Sequence, residues 1–360
     1  MPPDSSGPPV TLRDIGKALG VSHSTVSLAL RNHPRISTAM REKVQKAAEE
    51  MGYRPDPMLA ALATYRRGRV DQPINASIAW INAWPDPTDL RKHREFDHYW
   101  IGATKAAAKF GYRLEEFRLD ANFTPARLHQ ILNTRGIRGI LLPPHHNQPD
   151  WEDFPWDHYS VVRFGRSLHK PECHIVTADQ VANTILAHKE IYKRGYRRIG
   201  FVAPNFELRD NGVLFELGFI GGQRLVEDAE AIPPLLLRRR DKPSEVRASF
   251  QKWLKQYNPD AIFTTLSDLP AMLKKEKLQV PQDIALAATT ILDTNVNAGI
   301  DQHPEEIGRV GFLMLNSLIN DGARGIPDIF RQILVEGSWV DGSSLPVKGA
   351  AKTAKKTSKR

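Results

Sequence analysis

Apolar residues recur at helical spacing three times in the first fifty positions. Leu12, Ile15, Ala18 and Leu19 form one stripe behind Thr11, which has an N-cap side chain, and Gly20 ends the run where a left-handed residue costs little. A tight turn at Val21 leads to a second helix capped by Ser22. Its Val26, Ala29 and Leu30 share a face, whereas His23, Ser24, Ser27 and Leu28 project elsewhere. A third helix, Thr38 to Met51, carries Met40, Val44, Ala47, Ala48 and Met51, enough to close a small core with the first two. Two short helices crossed about a glycine turn are helix-turn-helix geometry. Beyond them, Arg54-Pro55 favours extended backbone, and Asp56-Pro57 opens a short alanine- and leucine-rich helix, MLAALATYRR, bounded by Gly68.

From Asn75 the pattern changes to short apolar runs alternating with amphipathic helices. Strands are expected at SIAWINAW, YRLEEFRL, IRGILLPP, YSVVRFG, HIVTAD, RIGFVAP, AIPPLLL, AIFTTL and IALAATT. Helical patterns fit near 98–110, 124–134, 180–194, 212–228, 243–257, 267–277 and 304–320. This alternation argues for an α/β fold of parallel sheets wrapped by helices. So many strands call for two sheets, with HIVTAD expected where the chain has already crossed into the second. Trp80 and Trp84 lie near the carboxyl end of the first of these strands, the end that lines ligand crevices in open sheets, and both fall on one face. Aromatic rings there can stack on a sugar; packing in the core is the competing expectation.

The run TLRDIGKALGVSHSTVSLAL, then PRIS, then a helix ending in GYRP closely resembles the DNA-binding headpiece of the LacI/GalR family of bacterial transcriptional regulators over about 50 residues. The resemblance continues more weakly through HYWIGATKAAAKFGYRL, RGIRGILLPP, ADQVANTILAHKEIYKRGYRRIGFVAP, NPDAIFTT, VPQDIALAA and HPEEIGRVGFLML, which are similar to a two-lobed, periplasmic-binding-protein-like core. It implies a homodimer that reads a pseudopalindromic double-stranded DNA operator, acts as a repressor, and binds a small-molecule effector such as a carbohydrate between the lobes. By the same resemblance the DNA-contacting set is Leu12, Arg13, Ser22, His23, Ser24, Ser27, Leu28, Arg31, Arg35 and Ser37, followed by Asp56, Leu59 and Leu62 of a hinge helix that wedges Leu62 into the minor groove. The base-facing positions are His23, Ser24 and Leu28, the last an arginine in many relatives. Crevice candidates are Trp80, Trp84, Arg209, Phe215, Ser267, Asp268 and Thr290. Phe215 and Thr290 stand where such regulators commonly place an arginine and an aspartate, so both polar anchors are replaced; Arg209 is an alternative source of the guanidinium.

Charge separates the ends from the body. Of the net +9, residues 1–70 hold eleven Lys/Arg against six Asp/Glu and residues 348–360 hold six against none, leaving the body slightly acidic. The expected organisation is a lead-in over 1–9, a headpiece over 10–55, a hinge and linker over 56–70, a two-lobed core over 71–343 and a basic, disordered tail over 344–360. The single cysteine, Cys173, excludes a disulfide framework or a multi-cysteine zinc site. Neither an export signal nor a membrane-length apolar run is evident, so a cytoplasmic protein is expected. His145-His146, His93 with His98, and His169 with His174 lack helix-phased metal spacing, and no P-loop, G-x-G-x-x-G or G-x-S-x-G follows a strand. No cofactor and no enzymatic activity are therefore expected. The alternatives are a nonspecific architectural DNA-binding protein and a regulator that needs no ligand; a solute-binding protein on the same core leaves the headpiece unexplained.

Overall fold

The computed structural model describes residues 10–30, 35–51, 53, 76–120, 123–145, 148–151, 153–205, 211–226, 230–238 and 241–348. The expected lead-in, hinge helix and most of the tail lie outside them. Three helices open the described chain: α1 (Leu12–Leu19), α2 (His23–Leu30) and α3 (Thr38–Glu50). Their core is Ile15, Val26, Ala29, Val44 and Ala48, flanked by Leu12, Leu19, Leu30, Met40, Ala47 and Met51. Ala18, expected in this stripe, is instead exposed, because Ile15 and Leu19 already fill the space facing α2.

Two six-stranded sheets follow. The first contains β1 (Ala76–Asn82), β2 (Tyr112–Arg118), β3 (Gly139–Leu142), β4 (Ser160–Phe164), β5 (His174–Ala178) and β11 (Gln332–Val335), in the order β11-β5-β4-β3-β1-β2 with every pairing parallel. The second contains β6 (Ile199–Pro204), β7 (Leu235–Leu237), β8 (Ala261–Thr264), β9 (Ala285–Ala288), β10 (Gly299–Asp301) and β12 (Ser338–Val340), in the order β12-β10-β9-β8-β6-β7; only β12 runs antiparallel. In the first lobe α4 (Asp89–Lys92) and α5 (Arg94–Lys109) join β1 to β2, and α6 (Pro125–Thr134) leads to β3. In the second, α7 (Gln180–Lys193), α8 (Asn211–Arg224), α9 (Pro243–Tyr257) and α10 (Leu269–Lys275) alternate with the strands. The strand interiors are buried on both faces, as parallel strands covered by helices must be.

HIVTA does not open the second sheet. It is β5 of the first, pairing with β4 and β11, and the crossing follows it in α7. The chain crosses again after β10, when α11 (Pro304–Asp321) returns to pack on α5, and once more between β11 and β12. At these crossings the Asp179 N–H donates to Val335 O (2.9 Å) and the Gly337 N–H donates to Asn183 Oδ1 (2.7 Å).

The α5–α11 contact is made backbone to backbone. A Cβ on Gly102 would lie 1.9 Å from Glu305 O, and one on Gly308 would lie 2.0 Å from Tyr99 O. Gly102→Ala is therefore expected to force the helices apart and lower stability by about 1–3 kcal/mol, the usual overpacking range. Gly221→Ala in α8 meets nothing nearer than Ile185 at 3.8 Å; it should be neutral or stabilise by up to about 1 kcal/mol, since alanine favours a helix interior. Urea midpoints of the two variants check the contrast; equal midpoints would mean that α5 and α11 can separate freely.

Candidate nucleic-acid interface and interlobe crevice

The headpiece is tied together by short-range caps. The Thr11 N–H (2.8 Å) and hydroxyl (2.6 Å) both donate to Asp14 Oδ2, which holds that carboxyl below its ordinary range and closes the first turn of α1. Gly20 ends α1 at φ +67°, and the Val21 N–H donates to Gly16 O (2.9 Å). Gly16 admits this turn because a Cβ there would meet Val21 O at 2.7 Å. Ser22 Oγ accepts the Thr25 N–H (3.1 Å) and so caps α2, while Ser37 Oγ accepts the Met40 N–H (3.4 Å) at the start of α3.

These contacts fix which side of α2 is outward. His23 and Ser24 are exposed; Ser27 and Leu28 are half-buried, and Leu28 stands outside the apolar cluster that takes up Val26, Ala29 and Leu30. Arg13 and Arg35 are exposed, whereas Leu12 turns its side chain onto the headpiece core. Arg31, Asp56, Leu59 and Leu62 lie outside the described residues. One helix face thus carries a histidine, a serine and a leucine around a small rigid core, the size and chemistry that enter a DNA major groove.

Between the lobes the crevice candidates part company. Trp80 is 1% exposed, its ring held by Trp100 and Phe164 at 5.5 Å, because its side of β1 faces α5. It is a packing residue rather than an open stacking platform. Trp84, 5% exposed, donates Nε1–H to Pro144 O (2.9 Å) and lies against His93 and Phe96. Phe215 is buried in the second-lobe core with Phe201 and Phe219, and Arg209 lies outside the described residues. Ser267 and Asp268 are exposed ahead of α10, and Thr290 is half-buried at the carboxyl end of β9.

Several crevice residues escaped sequence reasoning. Glu95, in the first turn of α5, is buried; its carboxylate accepts from the Tyr99 hydroxyl (3.1 Å) and hydrogen-bonds Thr290 of the other lobe. Burial, with Asp293 nearby, pushes it up to about 7. The Arg94 and Glu95 N–H groups donate to Asp293 Oδ1 (2.8 Å) and Oδ2 (3.3 Å). Asn82 and Gln302, also buried, donate to Pro87 O and Thr289 O.

Three of the histidines weighed for metal chemistry bond the backbone. His145 Nε2 accepts the Ala83 N–H (2.9 Å), His174 Nδ1 accepts the Arg331 N–H (2.9 Å), and His98 Nδ1 lies 2.6 Å from Arg94 O. Among the described residues no three His, Cys, Asp or Glu side chains converge as metal ligands, and no helix is long and apolar enough to cross a membrane. Cys173 lies in the first-lobe core, its thiol pushed up to about 12 by burial.

Residues 11–56 match the family model of bacterial regulatory proteins, lacI family, and residues 189–345 match that of the periplasmic binding protein-like domain. Over 349 residues the chain is 25% identical to the HTH-type transcriptional regulator MalR of Streptococcus pneumoniae, covering 91% of this chain and 98% of that one. Over 322 residues it is 26% identical to the HTH-type transcriptional repressor CytR of Escherichia coli, covering 85% and 88%. Among solved structures it is similar to the transcriptional regulator CelR in complex with cellobiose, at a TM-score of 0.57 and 20% identity over 93% of this chain and 99% of that one. The transcription regulator CcpA of Lactococcus lactis matches at a TM-score of 0.54 and 13% identity over 75% and 99%.

The caps and the outward face can be separated by hydrogen exchange of the headpiece amides in the whole protein. Ser22→Ala is expected to lower their protection by about 1 kcal/mol, the value of an N-cap, and Ile15→Ala by about 2–5 kcal/mol. Leu28→Ala should stay within about 0.5 kcal/mol. A loss at Leu28 as large as at Ile15 would make it a core residue and remove it from the reading face.

Proposed function

The chain belongs to the lacI family of bacterial regulatory proteins, and from that premise we propose that it is a sequence-specific transcriptional repressor, in the cytoplasm, whose headpieces pair in a homodimer on a pseudopalindromic operator. It is a regulator and not an enzyme. The observation that carries the DNA-reading proposal is the division of α2, with Val26 and Ala29 spent on the core and His23, Ser24 and Leu28 left on the far side. Arg13 and Arg35 are placed to meet phosphates, which position the protein without specifying sequence. Residues 10–55 form the headpiece, 56–70 the hinge and 71–343 the effector-binding core in this reading. Asp56, Leu59 and Leu62 of the hinge would join the operator from the minor groove, and Arg31 would add a phosphate contact.

The relative CelR is described in complex with cellobiose, which supports a carbohydrate or similar small polar metabolite as effector in this crevice. Trp84, Ser267, Asp268, Thr290 and Arg209 are its proposed surroundings. A regulator that needs no ligand is the second reading, favoured by the burial of Trp80 and Phe215. Calorimetry against a carbohydrate panel decides between the two. Footprinting against random competitor DNA tests the whole proposal, because a repressor protects one site at far lower concentration than an architectural binder would.

Leucine offers only apolar contact, for instance to a thymine methyl, whereas arginine reads guanine through O6 and N7, a pair worth about 1–3 kcal/mol of discrimination. Sites selected from random DNA are expected to lack a strong guanine requirement opposite Leu28, and Leu28→Arg should introduce one. In the same selection Leu62→Ala should weaken specific binding strongly and leave nonspecific binding nearly unchanged. An unaltered sequence logo for Leu28→Arg would remove that residue from the reading face.

A further inference from the structure

The contacts between α5 and the loop after β9 join the two lobes at a place set apart from the crossings. Asp293 belongs to the second lobe, yet both of its carboxylate oxygens accept from the first two amides of α5 in the first lobe, at 2.8 and 3.3 Å. The α5 N-cap, His93, supplies no side-chain cap of its own, so Asp293 does that work from across the crevice. The Arg94 guanidinium donates to Leu292 O (3.4 Å) in the same loop, and Glu95 bonds Thr290. The backbone contact of α5 with α11 runs from Gly102 to Tyr99. From Tyr99, five residues of helix at about 1.5 Å each put the Asp293 contact at Arg94 roughly 7 Å farther along α5.

We infer that Asp293 and Glu95 form a proton-dependent latch that holds the two lobes closed. Two carboxyl groups meet here: Asp293 is met by two helix amides, whereas Glu95 is buried with only the hydroxyls of Tyr99 and Thr290 to offset its burial and the neighbouring Asp293. Asp293 ionised is suited to the positive end of α5. Glu95 beside it is buried, and the groups that face it are Tyr99 on α5, Thr290 and Asp293 on the loop, and Asp301 at the end of β10. Arg91 is engaged with Asp97 and Glu116, and the Arg94 guanidinium turns to Leu292 O. Closure therefore favours Glu95 with its proton on. Opening the crevice returns Glu95 to water and to an ordinary carboxyl range.

The direction follows from linkage. A carboxyl raised to about 7 in the closed form, against an ordinary 4.5, binds more protons closed than open between those limits. Closure is strongest below the lower value, weakens as pH rises between them, and is flat above the higher one. The closing constant should fall roughly ten-fold from pH 6 to pH 8.

The test reads the lobes directly and needs no DNA, so it stands or falls apart from the operator proposal. Spin labels on cysteines replacing exposed Lys109 and Lys252 report the interlobe distance in the full chain; Cys173, buried and unreactive, can remain. Expected is a longer mean distance at pH 8 than at pH 6, abolished in Glu95→Gln, which keeps the side-chain length but carries no charge. Asp293→Asn retains an oxygen for one of the two amides and removes the repelling charge, so the Glu95 transition should shift to lower pH. A distance independent of pH in the unaltered protein overturns the latch. So does a pH response that survives unchanged in Glu95→Gln, which would assign it to another group.

Discussion

Two helices that touch through glycines set the geometry on which the rest of the molecule depends. Gly102 faces the Glu305 carbonyl and Gly308 faces the Tyr99 carbonyl, so α5 and α11 approach more closely than any side chain would permit. α11 begins where the chain has just left the second sheet, yet its buried residues Ile307, Phe312 and Leu315 belong to the first-lobe core. A Lys105–Glu305 ion pair at 2.6 Å adds little, since both side chains are half-exposed. Dispersion and exclusion between the two backbones do the fixing, and that kind of contact has one good arrangement rather than a continuum. Any relative motion of the lobes must therefore turn about the three connecting segments, where Val335 O and Asn183 Oδ1 accept across the chain, with the α5–α11 pair moving as part of the first lobe.

That constraint explains which parts of the structure were readable in the sequence. The headpiece was legible because its determinants are local: Ser22 and Ser37 bond amides three residues away, and Gly20 takes the left-handed turn its position suggested. The buried strands were legible as apolar runs. Which sheet each belongs to was not, because HIVTA is buried throughout and reads the same in either sheet. β10, β11 and β12 were missed for the opposite reason: QILV is largely exposed at the edge of its sheet, and GID and SWV are each three residues long. Short or solvated strands carry neither alternation nor a run.

The crevice was less legible still. Spacing put Trp80 and Trp84 on one side of β1, and both do belong to one cluster, but the side proved to be that of α5. Period-two patterning assigns residues to faces without saying what covers each face. Phe215 was identified by what it replaces; its place among Phe201, Phe219 and Ile300 shows what it does instead, which is to fill apolar volume that a guanidinium could occupy only at a large desolvation cost. Glu95 and Asp293, 198 residues apart, have no local signature. A first-turn glutamate is an ordinary helix preference, and only the fold reveals that it is buried against a second carboxyl.

These placements bear on how a bound molecule could control the hinge. A ligand shifts a two-state equilibrium only by its differential affinity for the two states. Where the protein's own groups already span the crevice, as the α5 amides and Asp293 do, a ligand that displaced those contacts would have part of its binding free energy offset. Moving a 1:99 equilibrium to 99:1 requires about 5.5 kcal/mol of such preference. The proton on Glu95 acts on the same equilibrium without displacing anything, because it is taken up inside the closed contact. Coupling is reciprocal, so whichever lobe arrangement favours the DNA-bound headpieces must in turn be favoured by DNA. Closure and proton uptake are then two readings of one equilibrium, and a change in either must appear in the other.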